Sequence, residues 1–407
     1  MPIKIPSITT SEVFDNYSGD LYDWYSKFFS RSPLRINRAQ GEQEQSAIFF
    51  SRYDQVKFFL SQHQFTSKEV TGKNTLLEAG NIFSESLLFK DGLEHQNLKN
   101  IFAQYFRRVP VSSYHQVVVS KARECFDKVD LGFRTDDFEL MSGFCKKLPL
   151  VVVMKLIGLP EDSNEEIMSR FQEISSGLDH VTSSTEVENK KNTSFSKFLD
   201  ALEDGLFEKW KYPSQSLLAN VRYLVDTEKL SKRCATENIA LLLFAGQETT
   251  AALIGSMIYC LAVFPQQLSL LRQNRELIGS TIEEVLRIES PLQRATFRCV
   301  SKGFTQGGFD FAKNEEIILL LGAANRDDKI FREPNEFIIS RTPNPHLSFG
   351  KGIYHCLGRQ LAVLEAQAVC DFLLDRYPGF WQVNKAEWEN STLLRSLKTL
   401  SINFNER

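Results

Sequence analysis

The sequence predicts a mainly α-helical chain with a minor β-sheet region, folded as a single domain over residues 1–407. Stretches of helical length, amphipathic or apolar, dominate the chain. Strand-type stretches are few and short. No internal repeat, low-complexity tract or Ser/Gly linker divides it, so the 407 residues, enough for two or three average domains, read as one unit. With 42% hydrophobic and 24% charged residues the composition is globular, neither disordered nor collagen-like.

In chain order, Ala47–Arg52 alternates little and is rich in Ile and Phe, the pattern of a buried strand. Amphipathic periodicity predicts helices over Gln96–Phe106 and Gln116–Val129, and a long apolar run predicts one over Asp137–Ile157. Asn164–Ser176 and Ser194–Trp210 follow with the same spacing. Asn238–Phe264 is apolar almost throughout, and Pro265, suited to a first helical turn, opens Pro265–Arg272. Gly279–Arg287 is a short helix; Ala295–Val300, Phe309–Phe311 and Glu316–Leu321 read as strands. Arg359–Arg376 is a helix behind a glycine-rich loop, and Thr399–Phe404 a final strand.

The 48 Lys+Arg against 51 Asp+Glu leave a formal net charge of -3, which favours neither nucleic acid nor an acidic membrane, so a charged partner has to be met by a local patch. The seven cysteines are odd in number and lack CxxC spacing, which argues against a disulfide framework or zinc cage and for a reducing compartment, the cytoplasm. The N-terminal stretch carries Glu12, Asp15, Asp20 and Asp23 and does not read as a signal peptide. Asn238–Phe264, roughly 40 Å long if helical, could span a bilayer by length. Its centre holds Gly246, Gln247, Glu248, Thr249 and Thr250. A charged side chain at a bilayer midplane costs about 2.5–3.5 kcal/mol, so the expectation is a helix buried inside a protein and no membrane span.

Three constellations carry chemistry. The first is Phe349-Gly350-Lys351-Gly352-Ile353-Tyr354-His355-Cys356-Leu357-Gly358, running into the helix at Arg359. Its glycines permit tight turns, and the unpaired amides of the following helix favour a thiolate at Cys356, either a nucleophile or a metal ligand. A cysteine hydrolase or acyl transferase needs a base, and His355 cannot easily face its own neighbour. The second is Ala245-Gly246-Gln247-Glu248-Thr249-Thr250, where a glycine and a back-bonding threonine are expected to widen the helix and place an acid beside an alcohol. The third is Glu284-Val285-Leu286-Arg287, whose spacing puts carboxylate and guanidinium on one helix face. Alone, such a pair is an ordinary surface contact.

Together and in this order, AGQETT, EVLR and FGKGIYHCLG, with His95 in an earlier Asp91-Gly92-Leu93-Glu94-His95 segment, resemble the soluble bacterial cytochrome P450 family, the haem-thiolate monooxygenases. The resemblance spans at least Asp91 to Ala366 and implies the cytochrome P450 fold, a triangular helical domain enclosing haem b (iron protoporphyrin IX). It implies Cys356 as axial thiolate and metal ligand, Phe349 as the aromatic shielding that sulfur, and Gly358 and Ala245 as residues against the cofactor. Thr249 and Glu248 resemble the catalytic alcohol and acid that relay protons to dioxygen, and Glu284 with Arg287 the structural pair behind the Cys loop, Arg341 being near their usual partner. Arg298 and His95 resemble the residues that hold the haem propionates.

Two departures stand out. Tyr354 occupies the place of a His or Arg, and Lys99 the place of an Arg, so a phenol and an ammonium replace the usual propionate donors. His355 is expected to face the proximal surface. One haem domain uses the whole chain, so electrons are expected from a ferredoxin or flavodoxin with its reductase, docking on Lys99, Arg107, Arg108, Lys351 and Arg359. The pocket is expected from Leu243, Phe244, Leu292–Phe297, residues 71–88 and Leu393–Leu394. It suits an apolar small molecule: lipid-like, terpenoid, polyketide or an acyl chain, free or tethered to a carrier protein. The protein is expected to be a monomer. The rival reading is a haem-thiolate protein that binds a ligand or gas without turnover.

Overall fold

The computed structural model describes residues 4–9, 21–29, 31–37, 46–62, 66–67, 83–108, 111–132, 138–160, 185–295 and 298–404. Helices among them are α1 (Leu21–Phe29), α2 (Tyr53–Ser61), α3 (Gly92–Arg108), α4 (Val111–Gly132), α5 (Lys147–Ile157), α6 (Thr185–Asp204), α7 (Leu217–Asp226), α8 (Lys232–Val263), α9 (Pro265–Gln273), α10 (Ile278–Ile288), α11 (Leu321–Ala324) and α12 (Arg359–Arg376). A mainly helical chain with small sheets is therefore what the sequence folds into.

The 32 residues of α8 run about 48 Å through the molecule. The helix starts on Ser231, whose hydroxyl accepts the Cys234 amide at 3.1 Å and so satisfies one of the first-turn donors. It is apolar on nearly every face because neighbours surround it. Leu253, Ile254, Met257 and Leu261 pack against Phe126, Phe144, Leu148 and Val285 in one cluster, while Ile239, Ala240 and Leu243 pack against Phe198, Leu202 and Leu217 in another. α8 is long and apolar enough to cross a membrane by length and composition, yet 67% of its most apolar window is buried within the protein.

Near its start α8 grips the segment that leads into α3. Glu237, fully buried, accepts the Glu85 amide at 2.7 Å and Arg233 Nε at 2.6 Å. Asn238 accepts the Leu87 amide at 2.9 Å and donates to the Glu85 carbonyl at 3.4 Å, to which Cys234 Sγ also donates at 3.2 Å. Phe83 of this segment joins Phe195, Phe198 and Phe244 in an aromatic cluster with centroids 4.9–6.1 Å apart.

A six-stranded sheet has the order β1-β2-β3-β9-β6-β4, with β1 Ser7–Thr9, β2 Leu34–Asn37, β3 Ser46–Phe50, β4 Thr66–Ser67, β6 Arg298–Val300 and β9 Glu316–Leu319. β3 and β9 are parallel, and β6 lies antiparallel on β9 with Arg298 opposite Ile317, which fixes where Arg298 sits. β10 (Trp381–Trp388), β11 (Leu397–Phe404) and β5 (Phe138–Glu139) form a second sheet, and β7 (Phe304–Gln306) with β8 (Phe309–Phe311) a hairpin.

Two predicted helices are corrected. Asp137–Ile157 is not continuous: β5 pairs with β11, a wide turn spans Met141–Cys145, and only Lys147–Ile157 is regular α-helix. The cause is Glu139, whose carboxylate accepts the amides of Met141 and Ser142 at 3.0 and 2.8 Å and that of Leu400 at 3.1 Å, starting the turn and fastening it to β11. Ser194–Trp210 leaves the α-helix after Asp204 through a second wide turn, Gly205–Lys209, with the Trp210 amide on the Gly205 carbonyl. A Cβ at Gly205 would lie 2.4 Å from the Trp210 ring, so only glycine fits there. Asn164–Ser176 lies outside the described residues.

Candidate active site

Behind the Cys loop, Glu284 and Arg287 of α10 are fully buried. Arg287 donates from Nε and Nη2 to the two Glu284 oxygens at 2.8 and 2.9 Å, the bidentate geometry a guanidinium favours. Its remaining donors reach the carbonyls of Asn325 at 3.0 Å, Pro334 at 2.7 Å and Glu336 at 2.9 Å. Arg341 adds Nε contacts to Glu284 at 3.0 and 3.1 Å, Asn344 one at 3.1 Å and the Ile338 amide one at 3.0 Å. The pair that could have been a surface contact is a buried hub that pins the segment entering the loop. Next to it, Asn325 donates to Ser290 and Ser348 at 2.7 and 2.8 Å and accepts the Leu347 amide at 2.7 Å, which sets the chain two residues before Phe349.

The loop then turns at Gly350 (φ 67°) and Gly352 (φ 74°), both in the left-handed region that favours glycine. A Cβ at Gly352 would come within 3.0 Å of the Leu60 carbonyl oxygen. The Cys356 amide returns to the Phe349 carbonyl at 2.9 Å, closing the loop between the half-buried phenylalanine and the cysteine. Of the seven cysteines, Cys356 is exposed, Cys125 half-buried and the other five buried. The protein packed around it pushes its thiol up, while hydrogen bonds from the Gly358 and Arg359 amides, then the charges of Lys99 and Arg359, pull the other way. Nothing lies within 4 Å of a Cβ built on Gly358, so the loop also leaves space at the start of α12.

Beside the loop four predicted residues come together. Arg298, 2% exposed, places its guanidinium 4.4 Å from the centre of the Tyr354 ring. Burial lowers the Arg298 pKa to about 10, with the charges of Tyr354 and Asp91 opposing the shift. The buried His95 ring meets Tyr354 edge-on at 4.6 Å. Tyr354 donates its hydroxyl to Asp91 Oδ1. Lys99 donates to the carbonyls of Ile353 and His355, so its ammonium holds the loop backbone. Burial, then Arg359 and Lys99, lower the pKa of the exposed His355.

On α8 the expected widening is not present: the helix stays α-helical from Lys232 to Val263. Thr249 donates back to the Ala245 carbonyl at 2.7 Å, and Gly246 faces Val153 of α5, 3.6 Å from where a Cβ would be. Glycine there relieves helix packing. The open position is Ala245, exposed within an otherwise buried stretch, and Leu241, Glu248 and Thr249, on the same face, are half-buried. Leu243 is 0% exposed in the packing core, off that open face, and Phe244 is engaged by the aromatic cluster. Leu292 and Leu394 do meet, in a bridge between the segment after α10 and the C-terminal hairpin. Thr296, Phe297 and residues 71–82 lie outside the described residues.

The sequence did not single out Glu283 and His346. Glu283 holds His346 Nε2 at 2.6 Å and Arg359 at 2.9 Å, bracketing the loop on both sides of Cys356. The Arg359 guanidinium also lies 5.5 Å from the Phe349 ring centre. A signal was available, since Glu283 sits one residue from the noted carboxylate on the helix face towards the loop.

Among the described residues no group of three or more His, Cys, Asp or Glu is placed to hold a metal ion, so Cys356 does not sit in such a group. An exposed thiol with amides on its sulfur, a buried arginine, a histidine and a phenol beside it, and an open alanine on the long helix fit an iron porphyrin bearing two carboxylates. Residues 25–395 match the family model for cytochrome P450. The chain is 32% identical over 329 residues to a "Biotin biosynthesis cytochrome P450" of Bacillus subtilis, covering 80% of this chain and 82% of that one. It is 27% identical to the "Polyketide biosynthesis cytochrome P450 PksS" of the same organism, covering 88% and 89%. Among solved structures, P450BioI in complex with an acyl carrier protein ligated to hexadec-9Z-enoic acid superposes with a TM-score of 0.83 at 27% identity, covering 96% of this chain and 100% of that one. Motif order, the buried Glu284 hub and the thiol loop agree with these likenesses, and the chain belongs to the cytochrome P450 family.

Proposed function

We propose that this oxidoreductase inserts one oxygen atom from dioxygen into a C–H bond of an extended acyl chain, presented free or on a carrier protein, with haem b as cofactor. What carries the substrate class is likeness across nearly the whole chain to a structure titled as a complex with a fatty-acyl carrier protein, at a TM-score of 0.83. The relatives named for biotin and polyketide biosynthesis support the same class. Leu292 and Leu394, brought together by a backbone bridge, would offer apolar side chains to such a substrate.

Haem, when bound through Cys356, supplies the dioxygen chemistry, and a thiolate ligand favours O–O cleavage. The protein's own residues do the rest. The Gly358 and Arg359 amides would hydrogen-bond the sulfur and offset part of the burial that raises its thiol, and Phe349 would shield it. Arg298 and His95 hold carboxylates, and Glu248 with Thr249 keeps a proton source on the face that Ala245 leaves open. Electrons come from a ferredoxin or flavodoxin with its reductase, drawn to the exposed Lys351 and Arg359. Lys99, turned to the loop carbonyls, contributes less to that patch than the sequence suggests. The side chains of Arg107 and Arg108 lie outside the described residues.

Purified protein should give a strongly red-shifted Soret band in its reduced carbon monoxide complex, lost in Cys356→Ser. A hexadecenoyl carrier protein and free hexadecenoic acid, titrated separately, should displace water from the iron with a spectral change. Oxidised product from either, dependent on dioxygen and a ferredoxin system, excludes the gas-binding reading. Thr249→Ala should keep dioxygen consumption but lose product. If it changes neither, the threonine is not in the proton path.

A further inference from the structure

The phenol at position 354 stands where the family resemblance puts a cationic or imidazole donor, and the structure shows what it does instead. Its hydroxyl is given to Asp91, at the start of α3. Its ring face carries the Arg298 guanidinium at 4.4 Å, and the ring makes a T-shaped contact with His95, centroids 4.6 Å apart. Arg298 comes from β6, His95 and Asp91 from the start of α3 and the residue before it, and Tyr354 from the Cys loop. Three parts of the chain far apart in sequence therefore converge on one aromatic ring. A hydrogen-bonded ring has a fixed plane, and a cation is attracted to the face of such a ring. Lys99, one turn after His95 on the same helix, restrains the same loop through the carbonyls of Ile353 and His355.

We propose that Asp91 is a positioning residue that acts through Tyr354. It orients the phenol so that the ring holds Arg298 towards a haem carboxylate, and it leaves a fixed negative charge beside that carboxylate. The proposal rests on the haem-thiolate reading. A negative charge near the cofactor favours the ferric state over the ferrous, so Asp91 lowers the reduction potential. In other chains a cation at position 354 would act in the opposite sense.

The test uses the haem-loaded full chain. Wild type is first shown to give the red-shifted carbon monoxide complex, and if it does not, the haem-thiolate reading itself fails. Given that complex, Asp91→Asn should raise the reduction potential, measured by spectroelectrochemistry, and Asp91→Glu should restore it. Tyr354→Phe, which keeps the ring and loses the hydroxyl, should speed haem transfer to apomyoglobin a few-fold, and Tyr354→Leu tenfold or more. An unchanged potential in Asp91→Asn, or equal haem-loss rates in Tyr354→Phe and Tyr354→Leu, overturns the proposal and leaves the haem-thiolate reading standing. A purely structural aspartate would change haem loss without a restorable change in potential.

Discussion

Glu284→Gln keeps the shape of the side chain and removes its charge, which makes the hub behind the Cys loop open to measurement. The carboxylate accepts from Arg287, Arg341, Asn344 and the Ile338 amide with no solvent contact. Glutamine turns one of its oxygens into a donor that would face donors. Two guanidiniums, with side chains 0% and 8% exposed, would then share a site without a counter-charge. At an effective dielectric near 20, each attraction lost is about 4 kcal/mol at 4 Å. Arg287 keeps three backbone carbonyl acceptors, so the net loss expected is roughly 3–5 kcal/mol, the usual cost of removing one partner of a buried pair. Urea unfolding followed by far-UV circular dichroism measures it. Asp371→Asn is the control: it removes one of the two carboxylates paired with the half-exposed Arg275, leaving Asp375, and should change stability by about 1 kcal/mol or less. A Glu284→Gln loss no larger than that of the control would refute the hub.

The remaining predictions concern the loop and the long helix. Gly352→Ala forces an L-residue to φ 74° and a Cβ to within 3.0 Å of the Leu60 carbonyl, so it should cost roughly 1–3 kcal/mol and speed haem loss. Burial alone would raise the carboxyl of Glu283, but its hydrogen bond to His346, that residue's charge and Arg359 hold it below its ordinary 4.5. A depressed carboxylate contributes stability above its unfolded pKa and loses it as pH falls through the folded value. The stability gap between wild type and Glu283→Gln should therefore shrink as pH falls below 4.5; a gap that grows with acid contradicts the bracket. Ser231→Ala removes the cap of α8 and should lower stability by about 1 kcal/mol, read from the shift in urea midpoint.

The long helix, α12 and the motif order were legible because periodicity and glycine placement act locally. Arg359–Arg376 begins and ends as the pattern predicts. What stayed hidden depends on contacts between distant residues. Nothing local in Asp137–Ile157 announces that Glu139 will bond to β11, some 260 residues away. The short helices α1, α2 and α7 were not read from the sequence, although α9 and α10, of similar length, were. At the site, the glycine-rich loop pointed to Cys356, and the family resemblance to Arg298 and His95. The phenol's partner Asp91 and the bracket at Glu283 come from chain segments that only folding brings side by side. Gly246 shows the converse: its type suggested an opening, and its neighbour Val153 makes it a packing residue.

The grip of Glu237, Asn238 and Cys234 on residues 85–87 sets how rarely this segment leaves the long helix. Parting this segment from α8 breaks four hydrogen bonds, and at a net 0.5–1.5 kcal/mol each the separated form costs roughly 2–6 kcal/mol. It is then populated between about one molecule in 30 and one in 20,000. Residues 85–87 are therefore held against α8 almost all the time. Asn238→Ala, which removes two of these four bonds, should loosen the segment, seen as faster hydrogen exchange at the Leu87 amide.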